Sequence, residues 1–482
     1  MRRRVLLIEL NEITWNLIDP LIEAGKLPTV ARLKKEGSWG APMSIDLPPQ
    51  LDPWITWTTV YTGRTQAEHN VFHLQQPPES IHAKRIWELC HEAGLKVGVF
   101  GSLGSYPPQN VDGFYVPDTF SPDPATFPAR LSPIQRLNLT YTRSIRLPGD
   151  EDGVAFIARL GAQLLGLGLR PETCSKIIFQ LARERISPEL RWKRVALQPA
   201  VNFDFFSRLY SRHKPDFASF HSNHVAHYQH TYWRAMQPEK FSQKTSAEET
   251  KVYGRAIEFG YQSADMLLKR AIGLCDENTV LVVASSMGQK PFISDLKAGK
   301  SIGQLRSIEK LIEIIKLQNK VKTLSTMSDQ FNIYADDPEV LSTAKSALST
   351  AYVEHTQRPI FYVCELDGFL TLNLRPYDDL GPDSECYFPQ IDSAPLIRYE
   401  DLVYLTGQNK SGCHDPKGML IFFGSGIRSG QELAELNNLD VAPTLLTLLG
   451  VPVPVEMKGK IIDQAFDFER TRRESFLEKQ YI

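Results

Sequence analysis

Histidines are concentrated in one short stretch of the chain. Four of the eleven fall between His221 and His230, directly after the apolar residues 217–220. On a helix His227 is an i,i+3 neighbour of both His224 and His230. Imidazole nitrogens bind metal ions and transfer protons near neutral pH. The pattern therefore favours a functional role for at least one of these side chains.

A further histidine, His414, lies in a segment bounded by glycine and proline, residues 411–418, which leads into the apolar run 419–423. Such a short run between turn formers is typical of a buried strand. Asp440 and Gly450 then begin and end a predicted helix. We expect His414 at a sheet edge, as a ligand, as a base, or in a purely structural role.

Polar residues also follow the ends of other predicted strands. Asn11 and Glu12 come directly after the strand 4–10, and ligands of open α/β sheets bind beyond such carboxyl ends. The positions of Glu9 and Asn11 predict that their side chains face the same side. Four strand-end residues are therefore candidate substrate-binding residues: Asn11, Glu12, Asn223 and Ser286.

Strands and helices alternate along much of the chain. Apolar strands are predicted at 4–10, 97–101, 217–220, 279–285 and 419–423, with helical segments between most of them. Repeated β-α-β units of this kind predict an α/β fold with a mostly parallel central sheet flanked by helices.

Composition narrows the classes of partner and location. The net charge of −2 gives no reason to expect nucleic acid or an anionic membrane as a partner. The apolar run after Arg4 is too short for a signal peptide, and the six scattered cysteines form no C-x-x-C pair, which favours a cytoplasmic protein. Residues 154–169 are apolar but interrupted, so no transmembrane segment is predicted.

The ordered landmarks resemble the alkaline-phosphatase superfamily, in particular its type I phosphodiesterase/nucleotide pyrophosphatase branch. The resemblance implies a three-layer α/β sandwich with inserted cap regions. The matching pieces are 5–8, 27–33, 57–63 with His69, 86–89 with Gly94, 106–108 with 113–114, His230 with Trp233, 280–288, 414–418, and 442–444 with Gly450.

Members of this superfamily bind two divalent metals, usually zinc, and attack phosphorus with a threonine or serine. At the matching positions this chain departs from that pattern. Asn11 and Ala226 stand for two metal-binding aspartates, and Ser286-Met287 stands for an Asp-His pair. The nucleophile falls on Leu51, Asp52 or Pro53, whereas His230 and His414 are retained.

Because carboxylates are missing where two zinc ions would bring four positive charges, a two-metal centre is not expected. One zinc or manganese ion needs only three protein ligands. His230 and His414 could supply two, with His227, His224 or Asp52 as the third.

Two further interpretations stay open. A metal-free enzyme could use Asp52 as nucleophile or base, Thr56 or Thr58 as nucleophile, and His230 or His414 as acid and base. Alternatively, the chain is a pseudoenzyme whose cleft binds an anionic ligand or a protein. The enzymatic interpretation predicts a small-molecule, glycan-linked or lipid-linked phosphoester as substrate.

The chain is predicted to be one domain, residues 1–482. Its core comes from 1–125, 200–290 and 400–465, with a helical cap insertion at 125–200 and a mixed insertion at 290–400. The whole site hypothesis requires the strand ends to share one cleft, with His230 and His414 within about 10 Å of each other, because metal–ligand bonds are near 2 Å.

Overall fold

The computed structural model describes residues 3–467, apart from 49, 73–75, 77, 144–162, 243–244, 294–300, 326–329, 367, 378 and 394. Most of the apolar segment 154–169 lies outside the described residues. Among the described residues, no helix is both long and apolar enough to cross a membrane.

An eight-stranded sheet forms the centre of the molecule. Its strands, in spatial order, are Gln431–Leu433, Ser38–Gly40, Met419–Phe423, Thr279–Ser285, Arg4–Leu10, Phe217–Ser222, Val97–Phe100 and Gly113–Val116. All neighbours are parallel except the two pairs that involve Met419–Phe423. The predicted strands are therefore present in a mostly parallel sheet, as expected.

The central strand Arg4–Leu10 is buried on both faces. Leu6 and Ile8 pack into one hydrophobic core, and Val5 and Leu7 pack into a second core on the opposite face of the sheet. Because side chains alternate along a strand, a continuous apolar run serves both cores at once. Each fully buried side chain of this size contributes about 1.5–3 kcal/mol relative to an exposed one.

Helices cover both faces of the sheet. The first core includes residues of Pro28–Glu36, Leu197–His213 and Ala256–Ile272. The second includes residues of Pro53–Thr62, Ile86–Glu92 and Val441–Leu449. Further α-helices among the described residues include Trp15–Glu23, Gln66–His69, Ser132–Arg143, Pro171–Ile186, His224–Met236, Ala247–Tyr253, Ile308–Ile314, Pro338–Ser349 and Tyr399–Leu402. The result is the predicted three-layer α/β sandwich.

A third hydrophobic core lies within residues 311–403, a range that overlaps most of the predicted mixed insertion 290–400. Two small sheets surround it. In spatial order, their strands are Phe361–Leu366, Phe369–Leu374, Gln330–Tyr334 and Lys322–Ser325, and Arg358–Pro359, Tyr352–Val353, Glu385–Tyr387 and Ile397–Arg398.

Two strand pairs lead in and out of this region. Ser301–Leu305 pairs with Val403–Asn409, and Gly288–Pro291 pairs with Gly412–Asp415. The second pair lies directly after the sheet strand Thr279–Ser285 and contains His414. It therefore brings a residue from the last fifth of the chain to the edge where the parallel strands end.

Candidate functional site

Glu12 lies at the carboxyl end of the central strand and is fully buried. Its φ angle of 60° is in the left-handed region, which is unusual for a residue with a side chain. The Gln229 side chain donates to the Glu12 carbonyl at 2.8 Å and helps to hold this turn. Backbone conformations of this kind are concentrated at functional sites.

Two imidazoles converge on the Glu12 carboxylate. Nε2 of His230 is 2.9 Å from Oε2 of Glu12, and Nε2 of His414 is 3.6 Å from the same oxygen. These three atoms lie within 4.8 Å of one another, and we call Glu12, His230 and His414 the donor triad. About a quarter of each imidazole is exposed, so the triad is reachable from solvent.

The other ring nitrogen of each histidine faces a backbone carbonyl. Nδ1 of His230 is 3.2 Å from the Gly412 carbonyl oxygen, and Nδ1 of His414 is 2.7 Å from that of Leu51. Since a carbonyl can only accept, each Nδ1 carries a hydrogen, and the neutral form of each ring then has its lone pair at Nε2. Carbonyls commonly orient metal-binding histidines in this way.

The charges of the triad match those of a metal site. Burial raises the pKa of Glu12, but the positive charge that His230 and His414 carry when protonated outweighs burial and lowers it to about 2. Burial lowers the pKa of His414 to about 4. One carboxylate and the imidazole lone pairs thus point at a common space that a cation would fill, and a two-histidine, one-glutamate set is a known zinc arrangement with an open fourth position.

Asn11 fixes the carboxylate from the other side. Its Nδ2 donates to Oε1 of Glu12 at 2.8 Å and to Oδ1 of Asn223 at 2.7 Å, while its Oδ1 accepts from Nε1 of Trp57 at 2.8 Å. An aspartate here would have no hydrogen to donate to Glu12. The acidic group at this strand end is therefore supplied one residue later than the superfamily resemblance implies.

Gln289 completes the surroundings of Glu12. Its Nε2 donates to Oε2 of Glu12, and its backbone is paired with that of His414 across the two strands. Ser411 links the same strand pair to the helix His224–Met236, because its N–H donates to the His230 carbonyl at 2.6 Å. The triad is thus held by three elements that are distant in sequence.

Asp52 is the N-cap of the helix Pro53–Thr62, where its Oδ1 accepts from the Trp54 N–H at 2.9 Å. Burial raises the pKa of the Asp52 carboxyl to about 6; the hydrogen bond from Trp54 opposes this, and the negative charge of Glu12 adds to it. The positive charge of Lys410 lowers the pKa of both Asp52 and His414.

The candidate hydroxyl nucleophiles are buried and already hydrogen-bonded. Oγ1 of Thr56 is 2.8 Å from Oγ of Ser286, and both residues are almost inaccessible to solvent. Oγ1 of Thr58 donates to the Trp54 carbonyl at 2.8 Å. Neither threonine presents a free hydroxyl. Asp52 is therefore better placed than Thr56 or Thr58 to take part in catalysis, as nucleophile or base.

A cavity of about 410 Å³ adjoins this cleft. Asn11, Pro53 and Asn223 line it on the side of the cleft. Two of the predicted metal ligands, His224 and His227, line the cavity too, and burial lowers the pKa of each to about 4. Nδ1 of His224 is 2.8 Å from the Ser222 hydroxyl. The structure thus gives Glu12, rather than His224 or His227, as the third member of the triad.

A second carboxylate–imidazole pair borders the same cavity. Nδ1 of His221 is 3.1 Å from Oε2 of Glu9, which also accepts from the Tyr61 hydroxyl at 2.7 Å. Oε1 of Glu9 accepts from Ser102 at 2.9 Å. The Trp57 ring packs edge-on against the His221 ring, with 5.5 Å between centroids.

His230 and His414 lie close together, as the site hypothesis requires. The ring centroids of His230 and His414 are 5.3 Å apart, well inside the required limit. Glu9 and Asn11 face the same side, as predicted, because both contact the helix Pro53–Thr62. Sequence reasoning missed the Glu9–His221 pair. Two signals could have indicated it: His221 belongs to the histidine-rich stretch, and Glu9 was predicted to face the same side as Asn11.

One family of known proteins matches the chain over more than half of its length. The model of the type I phosphodiesterase / nucleotide pyrophosphatase family matches residues 5–314, a segment that contains Glu12, Asp52 and His230. No curated protein matches the chain at a significant level.

Two solved structures illustrate the structural similarity. Human ectonucleotide pyrophosphatase / phosphodiesterase 5 is 11% identical, with 98% of this chain and 99% of that chain covered and a TM-score of 0.46. Phosphonoacetate hydrolase from Sinorhizobium meliloti 1021, solved with phosphonoformate, is 15% identical, with 93% and 96% covered and a TM-score of 0.43.

Proposed function

Since this chain belongs to the type I phosphodiesterase / nucleotide pyrophosphatase family, we propose that it hydrolyses a phosphodiester in the cleft between Asp52 and the donor triad, with one divalent cation bound by the triad. The observation that carries the proposal is the arrangement of the triad. Two Nε2 atoms and a carboxylate oxygen meet, while Nδ1 of each imidazole faces a backbone carbonyl that can only accept.

Hydrolysis of a phosphodiester requires the negative charge of the transferring phosphoryl group to be neutralised. When bound, a zinc or manganese ion would act as a Lewis acid that neutralises the charge of the transferring phosphoryl group. Glu12, His230 and His414 would hold it, and the carbonyls of Gly412 and Leu51 would keep the two rings oriented. The positive charge of Lys410 also acts on Asp52.

Asp52 is assigned as the base that takes a proton from the attacking water. Its carboxylate is fixed by the Trp54 N–H at the start of a helix, where the positive end of the helix dipole also favours a bound phosphate. A carboxylate with a raised pKa is a more effective base near neutral pH than an ordinary aspartate.

The experiment pairs metal analysis with an activity screen. We expect close to one zinc or manganese ion per chain, and hydrolysis of an aryl phosphodiester that stops when a chelator removes the metal and returns when it is restored. His414→Ala should lose both the metal and the activity. The matched control is His91→Ala, which alters an exposed histidine on the helix Ile86–Glu92.

The results separate the three interpretations of the cleft. Activity without metal would overturn the role of the triad and favour the metal-free mechanism. Metal or phosphate binding without turnover of any diester or monoester would favour the pseudoenzyme. A chain with neither metal nor activity would overturn the proposal altogether.

A further inference from the structure

The cavity beside the cleft has an unusual lining. None of the described residues around it is an aspartate, glutamate, lysine or arginine. Its polar surface consists instead of amides, hydroxyls and imidazoles. The amide side chains are those of Asn11, Asn138, Gln198, Asn202 and Asn223. Phe100 and Phe120 add aromatic surface.

We propose that this cavity binds the leaving group of the phosphodiester, a neutral polyhydroxylated alcohol such as a sugar or glycerol unit, and that His221, supported by Glu9, gives the departing oxygen its proton. The inference rests on the proposed hydrolysis and adds the leaving-group class and the acid. Its basis is the cavity lining, three unpartnered buried atoms, and the carboxylate–imidazole pair.

Charge and shape indicate the class of ligand. A leaving group that carried a second phosphate would need cations, and the described lining offers none. Amides donate and accept together, as hydroxyl groups do, so they match an uncharged alcohol with several hydroxyls. A volume of about 410 Å³ falls within the range of small-ligand sites.

Three buried polar atoms in the lining have no hydrogen-bond partner among the described residues. They are Nε2 of His221, Nε2 of His224 and Oδ1 of Asn202. The His221 side chain is only 6% exposed, and Asn202 is 8% exposed. Buried polar groups are nearly always hydrogen-bonded, and a missing partner often marks the place of a ligand. A donor–acceptor hydroxyl of the alcohol would satisfy both kinds of atom.

The Glu9–His221 pair has the form of an acid–base pair. Glu9 receives hydrogen bonds from Tyr61 and Ser102, which fix its carboxylate, and the carboxylate then accepts from Nδ1 of His221. A carboxylate at Nδ1 holds the imidazole in the orientation that leaves Nε2 facing the ligand. Nε2, the nitrogen without a partner, is left to act on the ligand.

In the proposed hydrolysis, water attacks phosphorus and one of its protons passes to Asp52. The bond between phosphorus and the leaving oxygen breaks with its electron pair on that oxygen, which takes the proton from Nε2 of His221. Solvent then removes the proton from Asp52 and returns one to His221, so that one diester and one water give a phosphomonoester and an alcohol.

The experiment compares two diesters that share the retained group and differ in the leaving group. One releases p-nitrophenolate, which needs no proton, and the other releases glycerol. In His221→Gln we expect kcat for the glycerol ester to fall by roughly 100-fold or more, the usual contribution of a general acid, while that for the nitrophenyl ester stays within about threefold. Glu9→Gln should act in the same direction.

Three controls keep the outcome clear. His91→Ala should leave both rates unchanged, and thermal unfolding should show that His221→Gln is folded. Zinc content should be unaffected, because His221 is outside the triad.

A third ester whose leaving group bears an additional phosphate should be a poorer substrate of the wild-type chain than the glycerol ester.

An equal loss on both esters would overturn the acid role while leaving hydrolysis intact. A preference for the phosphate-bearing leaving group would overturn the proposed class of alcohol. A wild-type chain inactive on all three esters would overturn the proposed hydrolysis and this inference together.

Discussion

Oε2 of Glu12 lies 2.9 Å from Nε2 of His230, whose Nδ1 faces the Gly412 carbonyl. With Nδ1 committed to that carbonyl, the neutral ring has no hydrogen for the carboxylate, so a proton or a metal ion must be shared between them. The same holds for His414 and Leu51. This relationship makes the cation content of the chain the most direct thing to measure.

Glu12→Gln tests that relationship. Removing the negative charge leaves the two imidazoles without an anionic partner, so the metal content should fall from close to one ion per chain to near zero. The measurement is elemental analysis after dialysis. Glu36→Gln, an exposed change on the helix Pro28–Glu36, should retain the metal. Equal metal in wild type and Glu12→Gln would rule out the triad as the site.

Asn11→Asp should destabilise the metal-free chain. The new carboxylate would lie beside Glu12 and Asn223 with no hydrogen to donate, at a loss of roughly 3 kcal/mol for an uncompensated buried charge. Chemical unfolding in a chelator measures this loss, and added zinc should recover part of it. Asn110→Asp, at an exposed position, should unfold like the wild type. An unchanged Asn11→Asp midpoint would contradict the network described here.

Asp52 offers a test that separates catalysis from stability. Asn is as good an N-cap as Asp, so Asp52→Asn should keep the stability of the helix Pro53–Thr62 while turnover falls by roughly 100-fold or more. Asp52→Ala should lose turnover and also about 1 kcal/mol of stability, because the cap is lost. Steady-state kinetics and unfolding of both variants provide the comparison. Wild-type turnover in Asp52→Asn would show that the carboxylate is not the base.

The buried side chain of His69 should make the free energy of unfolding depend on pH. Burial lowers its pKa to about 3, and its Nδ1 accepts from the Val71 N–H at 3.1 Å, so the folded state keeps the ring neutral. The unfolded chain takes up this proton below about pH 6.5. Its contribution to stability is therefore complete above that pH and is lost as the pH falls from there towards 3.

The measurement is chemical unfolding of wild type and His69→Gln at two pH values. From pH 7 to pH 5 the wild type should lose about 2 kcal/mol more than the variant, by proton linkage at this one site. His91→Ala, an exposed control, should follow the wild type. Parallel pH profiles for wild type and His69→Gln would show that His69 does not have the assigned pKa.

The sequence by itself was enough for the sheet and for the position of its polar ends. Continuous apolar runs such as Val5 to Ile8 can be buried only as inner strands, and the turn after a parallel strand must emerge at the ligand-binding edge. That is why the sequence alone assigns Asn11, Glu12 and the histidine-rich stretch to one region.

Which side chains meet was decided by the tertiary structure. Successive helical residues are about 100° apart, so His224 and His230 point about 120° away from each other. One therefore borders the cavity while the other reaches Glu12. The left-handed turn at Glu12 aims its carboxylate at His414, a residue some four hundred positions away. Neither the rotation of the helix about its axis nor this pairing is encoded in local spacing, because both are fixed by how the helix and the His414 strand pack against the sheet.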